Sequence, residues 1–443
     1  MDENLLHDVV AAALKAGADA AEAVAADRQS LSVGVRLGAL EEVEREEARD
    51  LGLRVFIGAR QASVSGSDFS PTALNRLVER AVAMARLAPE DPYAGLAPED
   101  RLIKGQPLDL QLFDPTEPTA DGLEEIALAA EAAARAVEGV SNSEGGSASW
   151  SASRWRLVTS GGFSGLHQAS GFYLGASVIA ADEGGMERGG EGRSLRWRED
   201  LPAPEAIGAE AGRRAVARLG ARKIASTTAP VIFENRLAFS LISPVVGAIA
   251  GPAIARGTSF LKDKLGKAVF APDFSLVEDP HRLRGLGSSP FDDEGVANQR
   301  RSLIDQGVLT TWLLNCSSAR QLGLETTGHA SRGLAGAPGV GTTNLTVTPG
   351  ALTKAQLMAQ AGEGLLVTSM FGPSLNPNNG DWSVGVSGFW FEGGELAYPV
   401  TEITVAGNLL ELYQRLVIGS DLELRGSANS PSLLIDAVAI AGR

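Results

Sequence analysis

The chain has 443 residues, of which 54 are acidic and 39 are lysine or arginine, so its formal net charge is −15 at pH 7. This balance argues against a broad nucleic-acid-binding surface, because such surfaces are built from clustered lysine and arginine. The single cysteine, Cys316, excludes an internal disulfide and with it the disulfide-stabilised secreted scaffolds. Hydrophobic residues make up 44% of the chain, which is enough to build the core of a globular protein.

The N-terminus and the apolar segments predict neither a leader peptide nor a membrane span. Met1-Asp2-Glu3-Asn4 is acidic, unlike the positively charged start of a signal peptide. The longest apolar stretch, Leu241–Ala255, is interrupted by serine, glycine and proline and is shorter than the roughly 18 residues of a spanning helix. We therefore expect a cytoplasmic protein that does not contact the membrane.

The first hundred residues carry the patterns of two helices and an antiparallel meander. Apolar positions recur every three to four residues in the helices and alternate with polar ones in the strands. Ser70 followed by Pro71 is typical of an N-cap and a first helical residue. The predicted elements are helix Leu5–Leu14, strands Ser30–Leu37, Gly52–Gly58 and Ala62–Ser67, and helix Thr72–Leu87.

A proline-containing linker at residues 89–117 separates this block from the next. The second block is predicted to begin with helix Ala120–Val137 and to end with helix Pro204–Leu219. Between them, Ser141–Ala181 is so rich in serine and glycine that it looks like a flexible linker. Its aromatic and aliphatic residues alternate with small polar ones, however, which favours half-buried antiparallel strands.

The C-terminal block is predicted to be rich in strands. It opens with strand Pro230–Phe233, which is followed by a helix over Leu237–Ala255. Two hairpins follow, one over Ser302–Leu309 and one over Gly388–Val405 with its turn at Glu392–Glu395. Helices set apart from runs of antiparallel strands indicate an α+β fold.

The predicted fold class is therefore α+β, with antiparallel sheets and flanking helices in the N-terminal half and a β-rich C-terminal domain. We expect three domains. They are an N-terminal α+β domain at residues 1–100, a middle α+β domain at 115–222 and a C-terminal domain at 229–443.

Few side chains in this sequence are suited to metal binding. The four histidines are His7, His167, His281 and His329. No HExxH pattern occurs, so a zinc site would need distant residues to converge. Cys316 and His329 leave that option open, but we interpret the histidines as structural and Cys316 as a buried thiol.

Three other short patterns lack part of the chemistry that they suggest. Asp292–Glu294 offers ligands for Mg²⁺ or Ca²⁺, but successive side chains of an extended segment alternate in direction, so we interpret it as a polar turn. Gly336–Thr343 resembles a phosphate-binding loop, but Thr342 replaces the lysine and a strand follows. Ser164 and His167 would point to opposite faces of a strand. Four aromatic residues are interpreted as core or groove wall rather than a base-stacking platform: Trp382, Phe389, Trp390 and Phe391.

Eight segments of the chain are distinctive in their order and spacing: Arg49–Val55, Asp91–Leu96, Arg218–Lys223, Arg256–Leu261, Asp292–Gln299, Gly307–Leu309, Gly388–Phe391 and Tyr398–Val400. Together they resemble the TldD/PmbA family, whose members are also described as modulators of DNA gyrase. In this family two related subunits assemble. The TldD-type subunit is a zinc metallopeptidase with an HExxxH helix and a C-terminal cysteine, whereas the TldE/PmbA-type subunit lacks these ligands.

The resemblance also implies where the HExxxH motif would lie in this chain. Counted back from Arg256–Ser259, that place is occupied by Ile242, Ser243, Pro244, Val245, Val246 and Gly247. None of the six is histidine or glutamate, and Pro244 interrupts the helix that would present them. The C-terminal segment Arg425–Ser430 has no cysteine. We therefore expect no catalytic residue and no metal ligand in this chain, and no binding residues are predicted.

The resemblance implies a TldE/PmbA-type, non-catalytic subunit of a cytosolic zinc metallopeptidase complex that processes or degrades unfolded or short peptides, of the microcin-precursor or antitoxin kind. Zinc is expected in the TldD-type partner, and this chain is expected to be inactive alone. The expected partners are that zinc-binding subunit and extended peptides, with a homodimer as the alternative when the chain is isolated. The alternative function is a protein that binds DNA gyrase or a toxin target without peptidase activity.

Overall fold

The computed structural model describes residues 3–443. The helices in this part of the chain are α1 (Glu3–Lys15), α2 (Pro71–Leu87), α3 (Ala120–Arg135), α4 (Pro204–Val216), α5 (Asn235–Ile242), α6 (Pro244–Ala248), α7 (Gly251–Arg256), α8 (Cys316–Leu322), α9 (Lys354–Ala361) and α10 (Leu409–Tyr413). The Ser70 side chain accepts a hydrogen bond from the Ala73 N–H at the start of α2, as predicted. Within residues 3–443, no helix is long and apolar enough to cross a membrane.

The strands range from two to twenty residues, and the long ones lie in the N-terminal half. They are β1 (Ala20–Arg36), β2 (Ala39–Ile57), β3 (Arg60–Gly66), β4 (Val140–Thr159), β5 (Ser164–Asp182), β6 (Gly185–Leu195), β7 (Thr227–Phe233), β8 (Leu276–Glu278), β9 (Arg301–Asp305), β10 (Val308–Leu309), β11 (Ala330–Ser331), β12 (Gly339–Val340), β13 (Leu345–Val347), β14 (Gly364–Leu375), β15 (Asp381–Glu392), β16 (Glu395–Asn408), β17 (Leu416–Ile418), β18 (Ala428–Asn429) and β19 (Leu433–Ala441). The serine- and glycine-rich segment Ser141–Ala181 is therefore almost entirely strand.

The N-terminal half is built on one antiparallel sheet of six strands in the order β3-β2-β1-β4-β5-β6. Its middle pair joins β1, from the first predicted domain, to β4, from the second, with Val35 opposite Gly146 at one end. The two segments 1–100 and 115–222 thus share a sheet, and their division into separate domains stays a prediction.

Four helices cover one face of this sheet because the strands alternate in side-chain character. On β1, Leu31, Val33 and Val35 pack into a core with α3 and α4, whereas Ser30 and Ser32 belong to the opposite face. A second apolar cluster joins the first part of β1 to α1 and α2. The uncovered face of the sheet turns towards the C-terminal half.

The C-terminal half is centred on a closed sheet. Strands β16, β15, β14, β7 and β19 follow one another, and β19 pairs again with β16, so that the ring closes. A second sheet has the order β10-β9-β8-β13-β18. The main hydrophobic core of the molecule fills the space between these sheets and the helices α5, α6 and α8.

The predicted α+β class is confirmed, but the single helix over Leu237–Ala255 is wrong. The structure divides this segment into α5, α6 and α7. Pro244 and Pro252 have no N–H to donate, and Ala250 between the last two helices adopts an extended conformation. The apolar composition of the segment predicted a helix correctly, whereas its prolines decided where that helix breaks.

Candidate functional site

An apolar cavity of about 690 Å³ lies beside the end of α5, where the resemblance puts the HExxxH motif. Helices α5, α6 and α7 form one wall, and β14 and β15 form the other. The apolar surface comes from Phe260, Met370, Trp382 and Val384. Trp382 is buried and lines this cavity, in agreement with its interpretation as core or groove wall.

Of the six residues Ile242–Gly247, where the resemblance puts the HExxxH motif, some line this cavity and the others pack in the core. Ser243, Pro244 and Gly247 line the cavity, while Ile242 and Val245 are fully buried in the main core. Ile242 and Gly247, which would replace the two histidines, carry no ligand atom. The Ser243 hydroxyl, in place of the glutamate, donates to the Ser240 carbonyl oxygen over 3.1 Å. This set of side chains does not fit a zinc ion.

The strand on the other side of the cavity has a free edge. Val367 of β14 is paired with Phe233 at the end of β7, and β14 continues beyond that point. Along Thr368–Leu375, β14 keeps β15 as a neighbour but has no second strand partner among residues 3–443. Met370 and Pro373 from this stretch line the cavity. Such an edge offers backbone N–H and C=O groups to an extended peptide.

The side chain of Asp292 accepts hydrogen bonds from three backbone N–H groups in the C-terminal half. Its Oδ1 accepts hydrogen bonds from the N–H groups of Glu294 and Val296, each over 2.9 Å. Its Oδ2 accepts one from the Ala330 N–H over 3.0 Å. Burial and the charge of Glu294 raise the pKa of Asp292 to about 8, against the effect of these donors.

The neighbouring side chains of Asp293 and Glu294 also accept hydrogen bonds from backbone N–H groups. The segment predicted to be a polar turn is largely buried. Asp293 accepts a hydrogen bond from the Arg332 N–H, and Glu294 accepts one from the Cys316 N–H, both over 2.8 Å. Burial raises the pKa of both carboxyl groups. Among residues 3–443, no group of three or more His, Cys, Asp or Glu side chains is placed to hold one metal ion.

His329 and Cys316 are held by other partners instead of forming a reactive pair. The Nε2 atom of His329 lies 2.6 Å from Glu278 Oε2, and its Nδ1 lies 2.8 Å from Thr327 Oγ1. Burial opposes ionisation of Glu278, yet its hydrogen bonds to His329 and Thr343 lower its pKa below the ordinary value. Burial and the charge of Glu294 raise the pKa of the Cys316 thiol, which disfavours the reactive thiolate.

The other three histidines form no hydrogen bond with His329, Cys316 or Asp292–Glu294. His7 is half-exposed on α1, 3.8 Å from Glu3. His281 Nε2 lies 2.8 Å from Asn298 Oδ1. His167 Nε2 is buried without a hydrogen-bond partner among the described residues, and burial lowers the pKa of this side chain.

The remaining short patterns have structural roles. The Ser164 hydroxyl donates to Glu3 Oε1 over 2.5 Å, so it is not paired with His167. Gly336–Thr343 forms a loop with β12 and leads into β13 instead of a helix, as predicted. In Arg425–Ser430, the Asn429 side chain accepts hydrogen bonds from the backbone of the same loop.

The sequence does not indicate that Arg256 lies at this cavity. This residue ends α7, is exposed, and lines the apolar cavity. It lies in one of the segments that carry the family resemblance, but one arginine in an acidic chain gives no signal by itself. It reaches the cavity because α7 lies across this space from β14 and β15.

Three family profiles match the chain in order. Domain 1 of the PmbA/TldA metallopeptidases matches residues 21–85, the central domain matches 113–219 and the C-terminal domain matches 226–442. The metalloprotease PmbA of Escherichia coli O157:H7 is 39% identical over 99% of this chain and 96% of its own length. A PmbA homologue of Haemophilus influenzae is 38% identical over 97% of this chain and 94% of its own length.

Solved structures agree in fold over the whole chain. A Bacteroides thetaiotaomicron protein, described as a candidate modulator of DNA gyrase, superimposes with a TM-score of 0.92 at 28% identity and covers 100% of both chains. TldE of Thermococcus kodakarensis shares the fold, with a TM-score of 0.87 at 20% identity over 99% of this chain and 100% of its own. By its profiles and its curated relatives, the chain belongs to the PmbA/TldD metallopeptidase family.

Proposed function

We propose that this chain is the TldE/PmbA-type, non-catalytic subunit of a two-part cytoplasmic zinc metallopeptidase. The observation that carries the proposal is the place of the HExxxH motif, where Ile242 and Gly247 have no ligand atom and Ser243 bonds its own helix. A catalytic zinc site needs about three protein ligands and an open position for water. The zinc and its hydrolytic chemistry would therefore come from a TldD-type partner.

In this assembly the chain binds and positions the substrate. The free edge of β14 runs beside the apolar cavity, which suits an extended peptide that pairs its backbone with the strand and buries apolar side chains. Unfolded or short peptides can adopt this extended conformation, and the family resemblance suggests peptides of the microcin-precursor or antitoxin kind as the substrates.

The proposal predicts a division of labour between two purified proteins. The chain alone should contain no stoichiometric zinc and should not cleave a short unstructured peptide. Its mixture with a TldD-type subunit should contain zinc and cleave the peptide. Zinc is measured by elemental analysis and cleavage by mass spectrometry of the products. Stoichiometric zinc together with peptidase activity in the chain alone would overturn the proposal.

A variant of the partner provides the control. Its motif glutamate is replaced by glutamine, which removes the general base without removing the zinc ligands. The mixture with this variant should be inactive while the two chains still co-elute in size-exclusion chromatography. Activity that persists in this mixture would place hydrolytic chemistry in the present chain.

A further inference from the structure

The cavity beside α5–α7 has an unusual charge for this protein. Arg256 is the one ionisable residue among those that line it, and the lining contains no carboxylate. The whole chain carries 54 acidic against 39 basic residues. A cavity without acids in such a chain is suited to an anionic group.

The Arg256 guanidinium is available to bind such a group. No described residue forms an ion pair or hydrogen bond with its side chain, which is exposed at the end of α7. Many arginines of this protein are paired, as in the Arg28–Asp50 and Arg415–Asp436 bridges, whereas the Arg256 side chain has no such partner among the described residues. A planar guanidinium binds a carboxylate through two parallel hydrogen bonds, which gives both affinity and orientation.

The rest of the cavity suits an apolar group attached to that carboxylate. Phe260 and Trp382 are largely buried and present aromatic surface, and Met370 adds an adaptable apolar side chain. The volume of about 690 Å³ lies within the range of roughly 300–1,000 Å³ that is typical of small-ligand sites. The unpaired edge of β14, at Thr368–Leu375, borders the same space.

We propose that this cavity binds the free C-terminus of an extended peptide whose last residues are apolar. Arg256 binds the terminal carboxylate, the last side chains enter the space between Phe260 and Trp382, and the backbone pairs with β14. The inference rests on the proposed function for its substrate class, and it assigns to this chain the recognition of one peptide end.

Binding of defined peptides to the full-length chain tests the inference without any peptidase activity. The probes are an acetylated tetrapeptide that ends in leucine and phenylalanine and the same peptide with a C-terminal amide, with affinities from isothermal titration calorimetry. The free acid should bind about tenfold to a hundredfold more tightly, because the amide loses a charged hydrogen-bonded pair. Equal affinities for the two peptides would overturn the inference.

Substitution of Arg256 should remove the preference for the acid. Arg256→Gln should bind the acid and the amide equally, since both changes remove the same interaction and their effects do not add. Arg76→Gln is the matched control, because Arg76 is also exposed on a helix and has no described partner. This control should keep the wild-type preference, and a preference that survives in Arg256→Gln would contradict the assignment.

A second variant tests the cavity itself. A Cβ at Gly247 would meet no atom within 4 Å, so Gly247→Leu should fill the cavity without disturbing the fold. Binding of the free acid should fall at least tenfold in this variant, with an unchanged circular dichroism spectrum. Unchanged binding would show that the peptide lies elsewhere.

A competitor distinguishes a peptide from a simple aliphatic acid. Decanoate carries a carboxylate and an apolar chain but has no backbone to pair with β14. It should not displace the tetrapeptide at equal concentration, and displacement would reject the peptide as occupant. These outcomes are separate from the activity of the two-subunit mixture, which can stand even if this cavity binds no peptide end.

Discussion

At the scale of single residues, the carboxylates of this chain that resemble metal ligands act as acceptors for backbone N–H groups. Asp292 binds three of them and Glu294 binds one, at the start of α8. A buried backbone N–H group without a hydrogen-bond partner costs about 1–3 kcal/mol. By accepting hydrogen bonds from such groups, these side chains stabilise the loops that contain them. The carboxyl groups that suggested a cation site therefore stabilise loops through hydrogen bonds.

The raised pKa of Asp292 predicts an unusual pH dependence at this position. Its folded value of about 8 exceeds the ordinary 3.8, so the folded chain keeps a proton that the unfolded chain has lost between these values. The contribution of Asp292 to stability is therefore fully present below pH 4 and declines towards pH 8, by up to about 1.4 kcal/mol per pH unit. Asp292→Asn should remove this term, so the free energy of unfolding of the wild type minus that of the variant should fall from pH 5 to pH 8.

Urea denaturation at the two pH values measures this difference. Asp273→Asn is the control, because Asp273 is exposed and has no described partner. That control should show the same small difference at both pH values. A wild type that becomes more stable relative to Asp292→Asn as the pH rises would contradict the predicted sign.

At the scale of elements, the same residue type has opposite roles in two helices. Gly208 of α4 faces α3, where a Cβ would overlap the Ala130 carbonyl oxygen. Gly247 of α6 faces open space, and a Cβ there would meet nothing within 4 Å. The first glycine allows two helices to approach closely, whereas the second only lowers the helix propensity of its segment.

Replacing each of these glycines by alanine should therefore change stability in opposite directions. Gly208→Ala should lower the free energy of unfolding by about 1–3 kcal/mol, because α3 and α4 must move apart. Gly247→Ala should raise it by about 0.5–1 kcal/mol through helix propensity alone. Paired urea denaturation curves measure both, and equal signs for the two variants would contradict this account of the packing.

At the scale of the whole molecule, a buried ionic cluster joins the N-terminal sheet to the C-terminal half. Glu22 on β1 binds Arg54 on β2 at 3.0 Å, and it also binds Arg332 from the loop after β11. All three side chains are buried. Close by, a Cβ at Gly52 would overlap the Leu334 carbonyl oxygen, so only glycine permits this loop to reach the sheet.

Removing the central charge of this cluster should weaken the whole molecule. Glu22→Gln leaves Arg54 and Arg332 buried without their carboxylate, and we expect a loss of about 3–5 kcal/mol in the free energy of unfolding. The linker at residues 89–117 should also be cut faster by protease, because it is hydrogen-bonded to the C-terminal half, as between the Ile103 N–H and the Gly295 carbonyl oxygen, and loses these contacts when the halves separate.

A surface pair in the same sheet serves as the control for Glu22→Gln. Asp50→Asn breaks the exposed bridge to Arg28 and should change stability by no more than about 1 kcal/mol. Similar losses for the two variants would mean that the buried cluster is not a special link between the halves.

Much of the local structure could be predicted because its signals are local. Ser70 and Pro71 marked the start of α2, and alternation identified β4 and β5 within a segment as rich in serine and glycine as a linker. Pro244 was recognised as an interruption, but the division of the apolar segment into three short helices was not predicted, since three short helices and one long helix bury similar apolar residues. The sites of buried charge were missed for another reason, because Glu22 and Arg332 are 310 positions apart.

The sequence by itself determined the α+β class and the family, because these depend on residue type, periodicity and order along the chain. Only the tertiary structure showed that an apolar cavity lies beside α5–α7. The arrangement of α7 opposite β14 and β15 places Arg256, Trp382 and the free strand edge around one cavity. Such a site depends on contacts between segments more than 100 residues apart, which no local pattern of residues encodes.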